Sequence, residues 1–127
     1  TGIEYREEYD EAYIQKLMTA LHKLGAKNII LTGVGFHPAQ TGVMISESGV
    51  LSYYRHRRLP VSCHGTGDVF ASACVGALMR DKTLPEAIAV AADFTYESIR
   101  LTEAEENHNW YGVNFEQAIP MIPELLK

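Results

Sequence analysis

The sequence predicts an α/β fold built on a central parallel strand, a β-hairpin and packed helices, in a sheet that these residues do not complete. Three observations carry that prediction. The stretch Asn28–Val34, NIILTGV, is a nearly unbroken apolar run, as expected of a strand covered on both faces. Apolar residues at helical spacing precede it, and two β-rich runs joined by a short polar turn come after it.

Taken in order, Ile14, Leu17, Met18, Leu21 and Leu24 form one stripe, so residues 8–24 read as an amphipathic helix that Gly25 ends. The apolar strand is next. Residues 41–46 and Val50–Arg57 are then β-rich and meet through Glu47, Ser48 and Gly49, which reads as a hairpin closed off by Pro60. A helix of small residues (Ala71, Ser72, Ala73, Cys74, Gly76, Ala77) opens at Gly67 or Asp68 and runs to about residue 80. Such a helix can lie close against a sheet. A further helix starts near Leu84, with Pro85 tolerated in its first turn, and continues to about residue 101, packed on the one before. Residues 103–112 read as a loop, whose Trp110 and Tyr111 cover an apolar surface or an interface. Residues 115–126 form a short helix disturbed by Pro120 and Pro123.

This inventory does not balance. A strand as apolar as Asn28–Val34 needs strands on its edges and helices on both faces, and the chain offers only one hairpin. The expectation is therefore a single domain or fragment over residues 1–127, completed by other residues. The opening Thr1-Gly2-Ile3, without an initiating Met, reads as a cut end.

Composition narrows the partners. With 11 basic and 16 acidic side chains the formal charge is −5, which disfavours a nucleic-acid binder, because phosphate neutralisation needs a basic field. The short run Arg55-His56-Arg57-Arg58 reads as a solvated hairpin end before a phosphate grip. Cys63 and Cys74 fit no Cys-x-x-Cys or zinc pattern and read as reduced small hydrophobes. His22, His37, His56, His64 and His108 are scattered without a ligand pair, so no metal site is expected of them. No apolar run is long enough for a membrane span and no signal peptide is evident, which makes the cytoplasm the default compartment.

The motif that can carry chemistry is HGTGDVFASA, residues 64–73. A helix N-terminus presents unpaired N–H groups and a partial positive charge, suited to a phosphate in transfer, and glycines there let a phosphate approach the backbone. Asp68 would then accept the proton of an attacking hydroxyl. Ligands of open parallel sheets bind beyond the carboxyl ends of the strands, where Thr32, Gly33 and Gly35 stand, so both stretches are expected to serve one ligand. The plainer alternative is that Thr66 or Asp68 only caps a helix beside a glycine turn. The motif is neither a Walker A loop, lacking Lys before Ser or Thr, nor the three-glycine dinucleotide fingerprint.

NIILTG, the hairpin, HGTGDVFASACVGAL and TLPEAIAVAADFTYESI resemble, in order and spacing, the carboxyl-terminal half of the ribokinase-like kinases, and most closely the bacterial pyridoxal/pyridoxamine kinases. The resemblance implies a Rossmann-like, three-layer α/β/α fold and ATP-dependent phosphorylation of the 5′-hydroxymethyl group of pyridoxal, pyridoxamine or pyridoxine, with Mg²⁺ and often a monovalent cation such as K⁺. It implies that Asp68 is the catalytic base and that Gly65, Thr66 and Gly67 form the anion hole. Thr32 and Gly33 would contact nucleotide phosphates, and residues 59–63, from Leu59 to Cys63, would line the nucleotide pocket. Related hydroxymethylpyrimidine kinases commonly carry Cys where this chain has Asp68, which favours a vitamin B6 kinase. In the family the amino-terminal half supplies most of the substrate pocket, the homodimer contacts and a metal-related acidic motif. These residues alone are thus expected to be a half-site without efficient turnover. A pyrimidine or other ribokinase-like kinase, and a non-catalytic nucleotide-binding module, are the alternatives.

Overall fold

The computed structural model describes residues 1–107 and 111–127, so the expectations for His108 and Trp110 lie outside the described residues. The chain divides into two compact units, Thr1–Arg58 and Leu59–Lys127.

The first unit opens with α1, Glu11–Lys23. The helix starts later than residue 8 because Asp10 caps it, its carboxylate accepting the Tyr13 N–H at 2.8 Å. Glu11 in the first turn and His22 and Lys23 in the last complement the helix dipole. Gly25, at φ +102°, turns the chain out of the helix in a conformation that favours glycine. Ile14 and Met18 point from α1 onto Ile29 and Val34 of β1, Asn28–Val34, and these four make the core of the unit, with Leu21, Leu31 and Met44 around them. Burying side chains of this size contributes about 1.5–3 kcal/mol each.

β2, Gln40–Glu47, and β3, Val50–Arg57, form the expected hairpin, with Glu47 in the strand rather than the turn. Ser48 and Gly49 both take positive φ, 50° and 88°, the geometry of a two-residue turn matched to strand twist. Gly42 allows the strands to close up, since a Cβ there would run into the Tyr54 carbonyl and the Tyr53 ring.

The sheet order is β1-β2-β3, antiparallel throughout. Among the described residues β1 lies at an edge and pairs only with β2, which is the incomplete sheet that the sequence predicts. One face of β1 is buried, through Ile29 and Val34, while Ile30 and Thr32 are exposed on the other. The opposite face is covered along β2, where Val43 and Ile45, the partners of Thr32 and Ile30, are 2% and 3% exposed, and opens only toward the β1 edge. An unpaired edge is what an incomplete sheet leaves.

In the second unit, α2, Thr66–Leu78, packs against α3, Leu84–Ala104. α2 starts at Thr66 and stops at Leu78, and α3 runs on into the stretch read as loop. Thr83 and Glu86 form a reciprocal capping box at the start of α3, with Pro85 in the first turn. The end of α3 is tied to the segment beyond it. Thr102 Oγ1 donates to the Ser98 carbonyl at 2.7 Å and accepts the Asn114 N–H at 2.8 Å, while Glu105 accepts from the Asn114 and Gln117 side chains, each at 2.5 Å. After it come a 3-10 helix, Glu116–Met121, containing Pro120, and the single turn α4, Ile122–Leu125. The proline shortens the expected helix into these two pieces.

Candidate functional site

α2 begins without a side-chain cap. Its N-cap residue is Gly65, held at φ 81° and ψ 0°, a left-handed conformation suited to glycine. The first backbone bond of the helix runs from Val69 N–H to the Gly65 carbonyl at 3.0 Å. The N–H groups of Thr66, Gly67 and Asp68 reach no backbone carbonyl of a described residue, as the first turn of any helix requires unless a partner is supplied. The preceding chain is pinned by the His64 carbonyl, which accepts the Val113 N–H at 3.2 Å.

The capping alternative is not realised. Thr66 occupies the first helical position, and its hydroxyl turns back to the Cys63 carbonyl at a long 3.5 Å. Asp68 is exposed in the first turn and makes no hydrogen bond or ion pair with a described residue. Gly67 is informative because nothing local demands it. Its φ is ordinary for a helix, and beyond its chain neighbours and its own helix backbone a Cβ built there would meet no atom of a described residue within 4 Å. A glycine at such a place costs helix stability relative to Ala without any packing return inside this unit. The turn thus joins an empty approach, unpaired donors and an unengaged carboxylate, the set needed to hold an anion beside a base.

Leu59 and Cys63 lie in the irregular segment leading to α2, both half-buried. Burial pushes the Cys63 thiol up, and the Glu103 carboxylate adds to it; burial alone does the same at Cys74. Both are thiols at neutral pH, consistent with small apolar packing rather than nucleophilic chemistry. Asp68 also stands at the rim of a cavity of about 500 Å³ that runs between α2 and α3, with Val69, Ala73, Phe94 and Ile119 among its walls. Those walls are apolar, so the cavity does not extend the anion-binding turn. No group of three His, Cys, Asp or Glu side chains gathers among the described residues.

Thr32 and Gly33 belong to the first unit. Thr32 pairs with Val43 and Val34 with Gly42, which leaves Gly33 as the extra residue of a β-bulge, at φ 70°. The bulge changes the parity of the strand, so that Val34 turns into the core while Thr32 stays exposed on the opposite face. Two phenols hold it. Tyr9 donates to the Gly33 carbonyl at 3.3 Å and accepts the Gly35 N–H at 3.0 Å, and Tyr53 donates to the Val34 carbonyl at 2.5 Å. Burial, then the neighbouring Tyr9, raises the Tyr53 phenol against the pull of Arg55 and Arg58, which keeps it a donor. Sequence reasoning does not find Tyr9 or Tyr53. They lie far along the chain from the bulge, and no local pattern announces such a contact.

The family model for phosphomethylpyrimidine kinase matches residues 3–114. The chain belongs to the phosphomethylpyrimidine kinase family. Among curated proteins, this family member is 37% identical over 97 residues to the thiamine biosynthesis bifunctional protein ThiED of Geobacter sulfurreducens, an alignment covering 74% of this chain and 19% of that one. Among solved structures, a protein of Bacteroides thetaiotaomicron assigned as a phosphomethylpyrimidine kinase superposes with a TM-score of 0.85 at 26% identity, covering 94% of this chain and 42% of that one. A second crystal form of that protein contains pyridoxal and gives 0.79 at 27% identity, over 94% and 43% of the two chains. Pyridoxal kinase from Lactobacillus plantarum gives 0.82 at 28% identity, over 98% and 45%. The fold is therefore that of the ribokinase-like kinases. This family member spans less than half the length of each of these structures.

Proposed function

We propose that residues 1–127 carry the phosphate-handling part of an ATP-dependent kinase that phosphorylates the hydroxymethyl group of a small heteroaromatic ring, in the first place the 5′-hydroxymethyl of pyridoxal, pyridoxamine or pyridoxine. The observation that carries the reading is the first turn of α2, where Gly65 is left-handed, Gly67 leaves the approach open and Asp68 is unengaged. In this reading Asp68 takes the proton of the substrate hydroxyl as its oxygen attacks the terminal phosphorus of ATP. The bond to the leaving phosphate oxygen breaks, and ADP departs. The N–H groups of Thr66 and Gly67 stabilise the charge on the transferring phosphoryl group, positioning and electrostatics supplying most of the catalysis. Thr32, with Gly33 beside it, is assigned to the nucleotide phosphates and Leu59 and Cys63 to the nucleotide pocket.

A hydroxymethylpyrimidine substrate is the second reading, favoured by the family model and by the relative named for thiamine biosynthesis. Asp68, where pyrimidine kinases commonly have Cys, supports the first. We further propose that turnover depends on residues corresponding to the remainder of the longer relatives, and that the complete enzyme is a homodimer of the cytoplasm.

The test is a chimera in which residues 1–127 replace the matching segment of the Lactobacillus plantarum enzyme, assayed for ADP release with pyridoxal, pyridoxamine, hydroxymethylpyrimidine and a sugar. Turnover that falls about 10²- to 10⁴-fold in Asp68→Asn, with nucleotide binding retained, is the expected result. Unchanged turnover in Asp68→Asn removes the base and leaves a binding module. A preference for the pyrimidine replaces the first substrate by the second.

A further inference from the structure

We infer that Tyr9 and Tyr53 are positioning residues for the nucleotide-phosphate contact at Thr32, acting by holding the Gly33 bulge in one register. The inference rests on the proposed nucleotide role of Thr32 and extends it to two residues that touch no ligand themselves.

A bulge lacks a partner. Gly33 has none on β2, so its backbone is not fixed by the ladder, and glycine is the residue least able to fix itself. Left alone, the end of β1 could pass its extra residue to a neighbouring position. A slip that carried the extra residue to the other side of Thr32 would turn its side chain to the opposite face, because side chains alternate along a strand. Three consecutive residues are nevertheless tied. The Gly33 carbonyl, the Val34 carbonyl and the Gly35 N–H are each bonded to a phenol oxygen, at 3.3, 2.5 and 3.0 Å.

The two phenols come from opposite sides in sequence. Tyr9 lies just before the Asp10 cap of α1, and Tyr53 lies on β3. Their rings are joined through Phe36, whose centroid is 6.1 Å from that of Tyr9 and 6.0 Å from that of Tyr53. The bulge is thereby braced on a packed aromatic row, and the Thr32 hydroxyl, which bonds to no described residue, is held outward. Arg58 lies beside the same turn, close to where a Cβ on Gly35 would stand.

The experiment compares ADP and adenosine binding by the chimera with the Lactobacillus plantarum enzyme, with Tyr9→Phe, Tyr53→Phe and Thr32→Val in these residues, and tracks the Gly35 amide by ¹⁵N NMR. The expected result is that Tyr9→Phe weakens ADP about three- to tenfold, the worth of one neutral hydrogen bond, leaves adenosine unchanged, and speeds hydrogen exchange at Gly35. Tyr53→Phe should do the same to ADP if Tyr9→Phe proves unfolded. A merely structural role would weaken both ligands together, and that outcome overturns the inference. So does a loss of ADP affinity in Thr32→Val with none in either phenylalanine variant, which leaves the Thr32 assignment standing. If the unchanged chimera does not bind ADP, or Thr32→Val binds it fully, the Thr32 assignment fails and the inference falls with it.

Discussion

His22 Nε2 lies 2.6 Å from the hydroxyl of Ser46, a side chain that is 1% exposed. The other ring nitrogen, Nδ1, is 2.6 Å from the Ala26 carbonyl. A carbonyl can only accept, so Nδ1 carries a hydrogen, and in the neutral ring Nε2 accepts the Ser46 O–H. The pair pins the last turn of α1 to the middle strand of the sheet. Replacing Ser46 by Ala strands Nε2, and the expected loss is about 1–3 kcal/mol in urea denaturation of the chain. A change below the error of the measurement would mean that solvent satisfies the ring.

The two glycines before Asp68 should respond in opposite directions. Gly65→Ala forces a Cβ into left-handed backbone and should cost about 1–2 kcal/mol, although the space around it is open. Gly67→Ala meets neither strain nor neighbours and should stabilise the chain by up to about 1 kcal/mol while weakening ADP binding. Thermal melts beside nucleotide titrations decide it. A Gly67→Ala variant that is more stable and binds ADP fully would show that the open approach is not used.

Acid should weaken the start of α3. The Thr83 N–H donates to Glu86 Oε2 at 2.8 Å, and the Thr83 hydroxyl donates to the same oxygen at 2.8 Å. The backbone bond first, and the hydroxyl second, hold the Glu86 carboxyl below its ordinary value of 4.5. Since the folded value is the depressed one, the stabilisation is present above 4.5 and disappears as the pH falls through the folded value. Glu86→Gln, a mimic of the protonated side chain, should melt lower than the unchanged chain at neutral pH and converge with it in acid. A gap that is constant with pH would rule this out.

The β1 edge, unpaired among the described residues and flanked by the exposed Ile30, is a template for another strand. The chain on its own should self-associate with rising concentration in sedimentation velocity, and Ile30→Lys should suppress it. A single monomeric species at high concentration would contradict the expectation.

Much of the fold is legible in the order of residues, and the parts that are not share a cause. The α1 stripe from Ile14 to Leu21, the β2–β3 turn and the Gly-Thr-Gly-Asp helix start are local patterns, and local physics is sufficient for them, whereas Leu24, read into the stripe, caps the helix end and is exposed. The neighbours of β1 are not legible, because an apolar run reports how much cover a strand needs, not which residues supply it. Asp10 displaces the start of α1 because a cap outweighs the weak helical pattern before it. At the candidate site, Asp68 and its glycines are legible, but whether they cap the helix is not, since that depends on where the Thr66 and Asp68 side chains turn. Tyr9 and Tyr53 are invisible because a hydrogen bond across 26 or 19 residues leaves no periodic trace.

The odd residue in β1 acts like a frameshift in a message read two letters at a time. Before Gly33 the strand is read in one frame, with Ile29 inward, and after it in the other, with Val34 inward. Substitutions leave that grammar intact, but a one-residue insertion or deletion between Asn28 and Gly33 would exchange what is hidden and what is offered. Length in this strand should therefore be far less negotiable than composition.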